Sequence, residues 1–396
     1  MTNLNQTPKG ERIHIGIFGR TNAGKSSIIN ALTSQNIAIV SDIKGTTTDP
    51  VSKAMELLPL GPVVIIDTPG LDDDSELGKE RIKKAYQTLA KTDIAIVAVD
   101  STSGITETEK NLIDEIKSHS IPYITVFNKC DLAPVLVSGK NEIAVSALTG
   151  ENITGLKNML AGLVPENEEK VLVGDLIDSG DIVVLVVPID DAAPKGRLIL
   201  PQQQTIRDIL DNGATAVVCK DTELADILTK LTVKPQLVIT DSQVFKKVAE
   251  IVPNDIPLTS FSILFARYKG DLQTLVDGVK AINSLEDGDK ILIAEGCTHH
   301  RQCGDIGSVK IPRMLEKVTG KKPIYDFVSG TEFAENTGDY KLIIHCGGCM
   351  LNEREMRARI AATTARNIPI VNYGVLLARL TGILNRSLEP FSDITL

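Results

Sequence analysis

The stretch Gly19-Arg20-Thr21-Asn22-Ala23-Gly24-Lys25-Ser26 constrains the fold more than any other feature of this chain. It lies between an aliphatic run at 13–18 and an apolar helical segment that begins at Ser27. Strand, then G-x-x-x-x-G-K-S, then helix is the context in which backbone N–H groups close around phosphate oxygens and a helix N-terminus adds partial positive charge. Further aliphatic runs at 63–67, 93–100 and 122–128 alternate with helical segments, the βαβ rhythm of a doubly wound parallel sheet.

The same rhythm recurs twice more, so the fold class is α/β throughout. A polar, acidic stretch after Pro165 closes the first part, and the expected domains are 1–168, 169–268 and 269–396. The second carries strand-like runs at 181–189, 215–220, 235–240 and 258–264, with helical segments at 205–213, 222–231 and 242–252. Gly213 is placed to cap the first of these helices in the left-handed conformation. No chemical motif marks this part, so a scaffold or subunit interface is expected. The third carries runs at 290–297, 323–330, 341–349 and 369–374. With 396 residues, two or three domains are expected. There is no Trp, and Phe and Tyr number 8 and 6. The cores must therefore be aliphatic, as suits strands buried on both faces.

Four further motifs follow the phosphate loop in order. Lys25 is placed to reach the β- and γ-phosphates and Ser26 to ligate Mg²⁺. Gly45-Thr46-Thr47-Thr48-Asp49 forms a polar loop in which Thr47 can close on the same ion. Asp67-Thr68-Pro69-Gly70 ends the run at 63–67, with Asp67 on the Mg²⁺ water shell and the Gly70 N–H toward the γ-phosphate. Asn128-Lys129-Cys130-Asp131 supplies a carboxylate that can accept from two guanine N–H groups, and Ser146-Ala147-Leu148 completes the base pocket. A site built to pair such groups rejects a base lacking them by about 10⁴ or more. The nucleotide is therefore GTP, bound through Gly19, Asn22, Ala23, Gly24, Lys25, Ser26, Ser27, Asn128, Lys129, Asp131, Ser146, Ala147 and Leu148. The catalytic set is Lys25, Thr47, Asp67 and Gly70.

This order of motifs resembles the translation-factor-related GTPases, nearest their tRNA-modifying and ribosome-assembly branch. Leu71 stands where small signalling GTPases carry a water-positioning Gln, so slow intrinsic hydrolysis is expected. The resemblance to that branch implies that Asn22 helps bind K⁺ beside the phosphates; the plainer reading is an Asn that shapes the loop turn.

Six cysteines are too few and too clustered for a disulfide framework. Cys297-Thr298-His299-His300 follows one strand and His345-Cys346-Gly347-Gly348-Cys349 another. Ligands in open α/β sheets gather beyond the carboxyl ends of strands, so these two segments can converge. Gly347 and Gly348 let the backbone bend around a bulky centre, and a helix starting near Asn352 is expected to lower the Cys349 thiol pKa. Spacing alone leaves structural zinc, an iron–sulfur cluster and a Cys346/Cys349 redox pair open. Cys219 reads as core, Cys130 as the variable position of its motif and Cys303 as a spare thiol. Arg354, Arg357 and Arg359 read as a solvated helix face, with a basic rim for anionic cargo as the sharper alternative.

A GTPase followed by Cys-x-His and then His-Cys-x-x-Cys resembles the HydF family of FeFe-hydrogenase maturation GTPases over essentially the whole chain. The resemblance implies GTPase, dimerisation and cluster-binding domains and a 4Fe–4S cluster on Cys297, Cys346 and Cys349. It also implies a transient diiron precursor received from radical-SAM maturases and passed to apo FeFe-hydrogenase. His299 belongs to the motif and is the first choice of fourth ligand. Glu295 shares a face with Cys297 and can supply an oxygen. Strand alternation turns His345 away from Cys346.

The chain carries 42 Lys+Arg against 51 Asp+Glu, a net charge of -9, a poor start for a nucleic-acid binder. An RNA-associated GTPase with a structural zinc site is the rival reading. No apolar run approaches a membrane span and the first residues lack a signal-peptide pattern. A cytoplasmic protein, a homodimer or larger, is therefore expected.

Overall fold

The computed structural model describes residues 7–33, 50–72, 76–164, 171–189, 198–296, 305–330, 333 and 337–396. They fall into two compact units, 1–167 and 168–396. Among the described residues no helix is long and apolar enough to cross a membrane.

The first unit contains β1 (Ile13–Gly19), α1 (Lys25–Thr33), β2 (Val51–Leu57), β3 (Gly61–Asp67) and α2 (Glu76–Leu89). It continues with β4 (Ile94–Asp100), α3 (Glu107–Ser118), β5 (Tyr123–Asn128), β6 (Glu142–Val145) and α4 (Ile153–Gly162). Its sheet runs β2-β3-β1-β4-β5-β6, all parallel except the β2–β3 pair. The central strands are the predicted aliphatic runs and are buried nearly throughout. Sequence reading missed β2, which is polar and mostly exposed at the sheet edge, and β6, which is only four residues long. The chain passes from β1 to β2 and β3 on one side and then crosses from β3 to β4 on the other, so the topological switch point lies at the end of β1, where the phosphate loop begins.

The second unit holds two sheets over one continuous apolar core that extends from Leu172 to Phe391. Its first half contains β7 (Ile182–Val186), α5 (Leu200–Asp211), β8 (Thr215–Cys219), α6 (Leu224–Lys230), β9 (Leu237–Thr240), α7 (Phe245–Ile251), β10 (Leu258–Ser260), α8 (Phe261–Lys269) and α9 (Leu272–Gly278). The run at 258–264 is not one strand. The Ser260 hydroxyl accepts from the Ile263 N–H at 3.3 Å, an N-cap that turns the chain into α8 after three strand residues. Gly213 takes the expected left-handed conformation at φ +73° beyond α5.

The second half contains β11 (Lys290–Glu295), α10 (Ile311–Thr319), β12 (Ile324–Ser329), β13 (Leu342–His345), α11 (Glu353–Thr364), β14 (Ile370–Asn372), α12 (Tyr373–Leu380) and α13 (Leu384–Leu388). Its parallel sheet runs β12-β11-β13-β14. The chain passes from β11 to β12 on one side and then crosses to β13 on the other, so the switch point lies between β11 and β13. Those are the two strands that lead into the cysteine segments.

Candidate functional site

In the first unit, Gly24 takes φ +84°, and a Cβ there would lie 2.1 Å from Asn128 Nδ2. Only glycine fits between the phosphate loop and the base-recognition strand. Lys25, buried at the start of α1, donates from Nζ to the carbonyls of Gly19 at 3.0 Å and Arg20 at 2.9 Å. Burial pushes its pKa down to about 8, against the pull of Asp67, Asp72 and Glu109. Ser26 Oγ donates to Asp67 Oδ2 at 2.9 Å. The other Asp67 oxygen is buried with no hydrogen-bond partner among the described residues, and burial raises this carboxyl's pKa. A hydroxyl beside an unsatisfied carboxylate oxygen is an apt donor set for a hard divalent cation such as Mg²⁺. Thr47 lies outside the described residues.

The residues expected to recognise the base are gathered by one side chain. Asn128 donates from Nδ2 to the Ala23 carbonyl at 3.1 Å and accepts at Oδ1 from the Ala147 N–H at 3.0 Å. It thereby ties the phosphate loop to the Ser146-Ala147-Leu148 turn. Lys129, at φ +66°, pairs with Asp100 at 2.6 Å. Burial works to raise the Asp100 carboxyl, but bonds from Lys129 and Thr102 outweigh it and hold the group below its ordinary pKa. Asp131 is exposed at the rim. Ser146 is buried, with Oγ accepting from the Thr149 N–H at 3.1 Å, and Leu148 is 87% exposed. Ser27 lies on the first turn of α1. Asn22 sits in the left-handed region at φ +63°, which Asn tolerates better than most residues.

Two contacts here were not legible in the sequence. Arg20 pairs with the fully buried side chain of Glu109 at 2.7 Å, which also accepts from the Thr106 N–H at 3.0 Å and from its hydroxyl to cap α3. Asp72 Oδ1 accepts from the Thr21 N–H at 2.7 Å. The backbone of Gly70 is so close that a Cβ there would lie 2.2 Å from Thr21 Oγ1. The segment after β3 is thus folded against the phosphate loop, with Leu71 buried.

In the second unit, pairing continues past the end of β13, where the Cys346 N–H donates to Ala294 O at 2.9 Å. Cys346 Sγ then accepts from the Gly296 N–H at 3.0 Å and the Gly348 N–H at 3.4 Å. Burial pushes the Cys346 thiol up to about 11, although those two amides favour the thiolate. Gly348 bends the loop at φ +63°, and Asn352 caps α11 by accepting from the Glu355 N–H at 3.0 Å. The expected lowering at Cys349 is not found. The residue precedes the helix by several positions, and burial pushes its thiol up against Lys269 and two backbone amides. Cys297, His299, His300 and Cys303 lie outside the described residues. Among the described residues no group of three or more His, Cys, Asp or Glu side chains could hold a metal ion.

Two fourth-ligand candidates are described. His345 is fully buried and has both ring nitrogens engaged, Nδ1 with Cys346 O at 2.7 Å and Nε2 with an Arg359 guanidinium nitrogen at 3.0 Å. The guanidinium can only donate, so Nε2 accepts and the proton sits on Nδ1. Burial and the adjacent Arg359 push its pKa down to about 3. Glu295 ends β11 and accepts from the Tyr373 hydroxyl at 3.1 Å, and its charge acts on Cys346 from the neighbouring strand.

Arg359 is neither a solvated face nor a basic rim. It is 4% exposed and bonded to Gly330 O and Glu355, each at 2.8 Å. Its neighbour Arg357 does lie on an exposed face, pairing with Glu353 at 2.8 Å. Cys219 is core, its thiol pushed up to about 11 by burial.

Comparison with known proteins matches these units. Residues 14–129 match the 50S ribosome-binding GTPase family, 172–270 the hydrogen maturase F dimerization domain and 273–390 the hydrogen maturase F tetramerization domain. The tRNA modification GTPase MnmE of Legionella pneumophila (strain Paris) is 37% identical over 159 residues, 39% of this chain and 35% of that protein. MnmE of Thermosipho melanesiensis is 31% identical over 177 residues, 43% of this chain and 38% of that protein. The chain thus spans little more than a third of these relatives. Among solved structures, Era of Aquifex aeolicus bound to GDP and aluminium fluoride is 19% identical, with a TM-score of 0.36. The match covers 52% of this chain and 92% of that one. A P-loop GTPase unit with a GTP and Mg²⁺ site, followed by both maturase-specific domains over more than half of the sequence, places this chain in the hydrogen maturase F family.

Proposed function

We propose that this GTPase is a scaffold that binds a 4Fe–4S cluster through Cys297, Cys346 and Cys349, accepts a diiron precursor and delivers it to apo FeFe-hydrogenase. The observation that carries the reading is the Gly296 N–H bond to Cys346 Sγ. It joins the ends of β11 and β13 at the switch point, and the next residue in the chain is Cys297. Backbone N–H groups directed at a cysteine sulfur suit a thiolate that ligates iron, because they stabilise its charge without supplying a competing ligand. The cluster, when bound, would supply an iron corner that three thiolates leave exchangeable.

The other residues have separable tasks. Glu295, on the strand that leads to Cys297, is the fourth-ligand choice best supported among those described, since both nitrogens of His345 are engaged. His299 stands beside it on the strength of the motif alone. In the GTPase unit, Lys25 and the loop amides bind the phosphates, Ser26, Thr47 and Asp67 hold Mg²⁺, and Asp131 selects guanine. Asn22 is a K⁺ ligand, and Leu71, which cannot orient water, keeps hydrolysis slow. The partners are radical-SAM maturases and the apo-hydrogenase, met by a dimer or tetramer.

Loaded protein mixed with apo-hydrogenase should restore hydrogen evolution, and Cys346→Ser should abolish it. Restoration by the Cys346→Ser protein would defeat the scaffold role. GTP hydrolysis should be faster in K⁺ than in Na⁺; equal rates would remove the K⁺ assignment.

A further inference from the structure

Three carboxylates act on the charge of Lys25: Asp67, Asp72 and Glu109. Two have tasks already described. Asp67 accepts from Ser26, and Glu109 caps α3 and pairs with Arg20. Asp72 stands in no motif. Its Oδ1 accepts from the Thr21 N–H, an amide of the phosphate loop, at 2.7 Å, although the residue itself is exposed.

The two residues before it fix that approach. A Cβ on Gly70 would lie 2.2 Å from Thr21 Oγ1 and 2.8 Å from the Thr21 amide nitrogen, so the two backbones meet with no side chain between them. Leu71 is buried in one apolar cluster with Phe18, Leu89 and Val97, which anchors the segment behind the carboxylate. A carboxylate bonded to a loop N–H and near enough to act on the loop lysine makes contacts expected of a terminal phosphate. Two anions crowded at one loop repel each other. GTP carries the group that competes for this place, and GDP lacks it.

We propose that Asp72 is a specificity-determining residue that competes with the γ-phosphate for the phosphate loop, so that it opposes GTP more than GDP. The proposal rests on the reading of this loop as the GTP site. GTP must move the carboxylate off the Thr21 N–H. Gly70 and Asp72 lie on one short segment, so the movement that frees this amide also re-aims the Gly70 N–H. After hydrolysis and loss of phosphate, the carboxylate returns. The γ-phosphate thereby interacts differently with two positions of the segment after β3, which any nucleotide-driven change requires.

The test uses the full chain with Mg²⁺. It reads the dissociation constants of fluorescent GDP and of a fluorescent non-hydrolysable GTP analogue for wild type, Asp72→Asn, Asp72→Ala and Asp72→Glu. Asn keeps an oxygen that can accept from the Thr21 N–H but removes the charge, whereas Ala removes both. Asp72→Asn should tighten binding of the GTP analogue about tenfold and change that of GDP less than about twofold. Asp72→Ala should do the same, and Asp72→Glu, which keeps the charge, should stay near wild type. A GTP-to-GDP affinity ratio unchanged in Asp72→Asn would overturn the proposal. So would affinities for both nucleotides that fall together, the result expected of a residue that only shapes the loop. A wild-type chain that binds neither nucleotide would instead overturn the GTP-site reading itself.

Discussion

Lys25 carries its charge in a loop whose present partners are two backbone carbonyls. With its pKa pushed down to about 8, the nucleotide-free lysine loses its proton above that pH, whereas bound phosphates favour the charged form. Binding must then take up a proton in alkaline solution. GTP affinity should be nearly flat below pH 8 and fall by up to about tenfold per unit above it. Titration with a fluorescent GTP analogue across that range checks this, and an affinity unchanged to pH 9.5 would count against it. Asp131→Asn removes the acceptor for both guanine N–H groups, and GTP affinity should fall about a hundredfold or more. Xanthosine triphosphate should gain what GTP loses.

The phosphate-loop residues and those expected to read the base were legible as motifs because phosphate cradling and base pairing restrict both residue type and spacing. Arg359 was misread because an arginine on a helix is usually solvated, and only its tertiary contacts with His345, Gly330 and Phe333 bury it. Lys269 left a fainter trace. Ile263, Leu264, Phe265 and Ala266 run consecutively through α8, and a helix apolar all round is a buried one, its terminal lysine included.

Among the elements, α3 depends on a single carboxylate. Glu109 completes the capping box with Thr106 and pairs with Arg20. Glu109→Ala leaves a guanidinium and an N–H without their partner and should cost about 2–4 kcal/mol in denaturant unfolding of the first unit. Burial works to raise the Glu109 pKa, but bonds from Thr106 and Arg20 hold it below the ordinary value of 4.5. The unfolded chain therefore binds the proton more readily. The contribution is present above about pH 4.5 and is lost as pH falls through the folded value, so the gap between wild type and variant should narrow in acid. In the second unit α9 lies almost backbone to backbone on β14, and a Cβ at Gly278 would come 2.0 Å from Ile370 O. Gly278→Ala should cost about 1–3 kcal/mol by thermal unfolding; a neutral effect would contradict that contact. The buried parallel strands were legible as aliphatic runs. The polar edge strand β2 was not, because one exposed at an edge lacks the apolar pattern that reveals the others.

At the scale of the molecule, the regions 169–268 and 269–396 share one apolar core and form one compact unit. A protein comprising 168–396 alone should fold and unfold in a single cooperative transition. Two separate transitions would show that the common core does not couple the sheets. The phosphate-loop motif was legible because phosphate chemistry admits few residue types, and the cysteine motifs mark the strand ends β11 and β13 where a site is proposed. The sharing of a core by two sheets depends on which helices lie between them, and hydrophobic periodicity cannot specify that.

The measurement that bears most directly on the scaffold is metal and sulfide analysis of the anaerobically reconstituted full chain, with its absorption and EPR spectra. Wild type should hold about four iron and four sulfide per chain with broad absorption near ~400 nm, and Cys297→Ser, Cys346→Ser and Cys349→Ser should each lose most of it. Stoichiometric zinc in a colourless protein, or full iron retention after loss of Cys346, would contradict it.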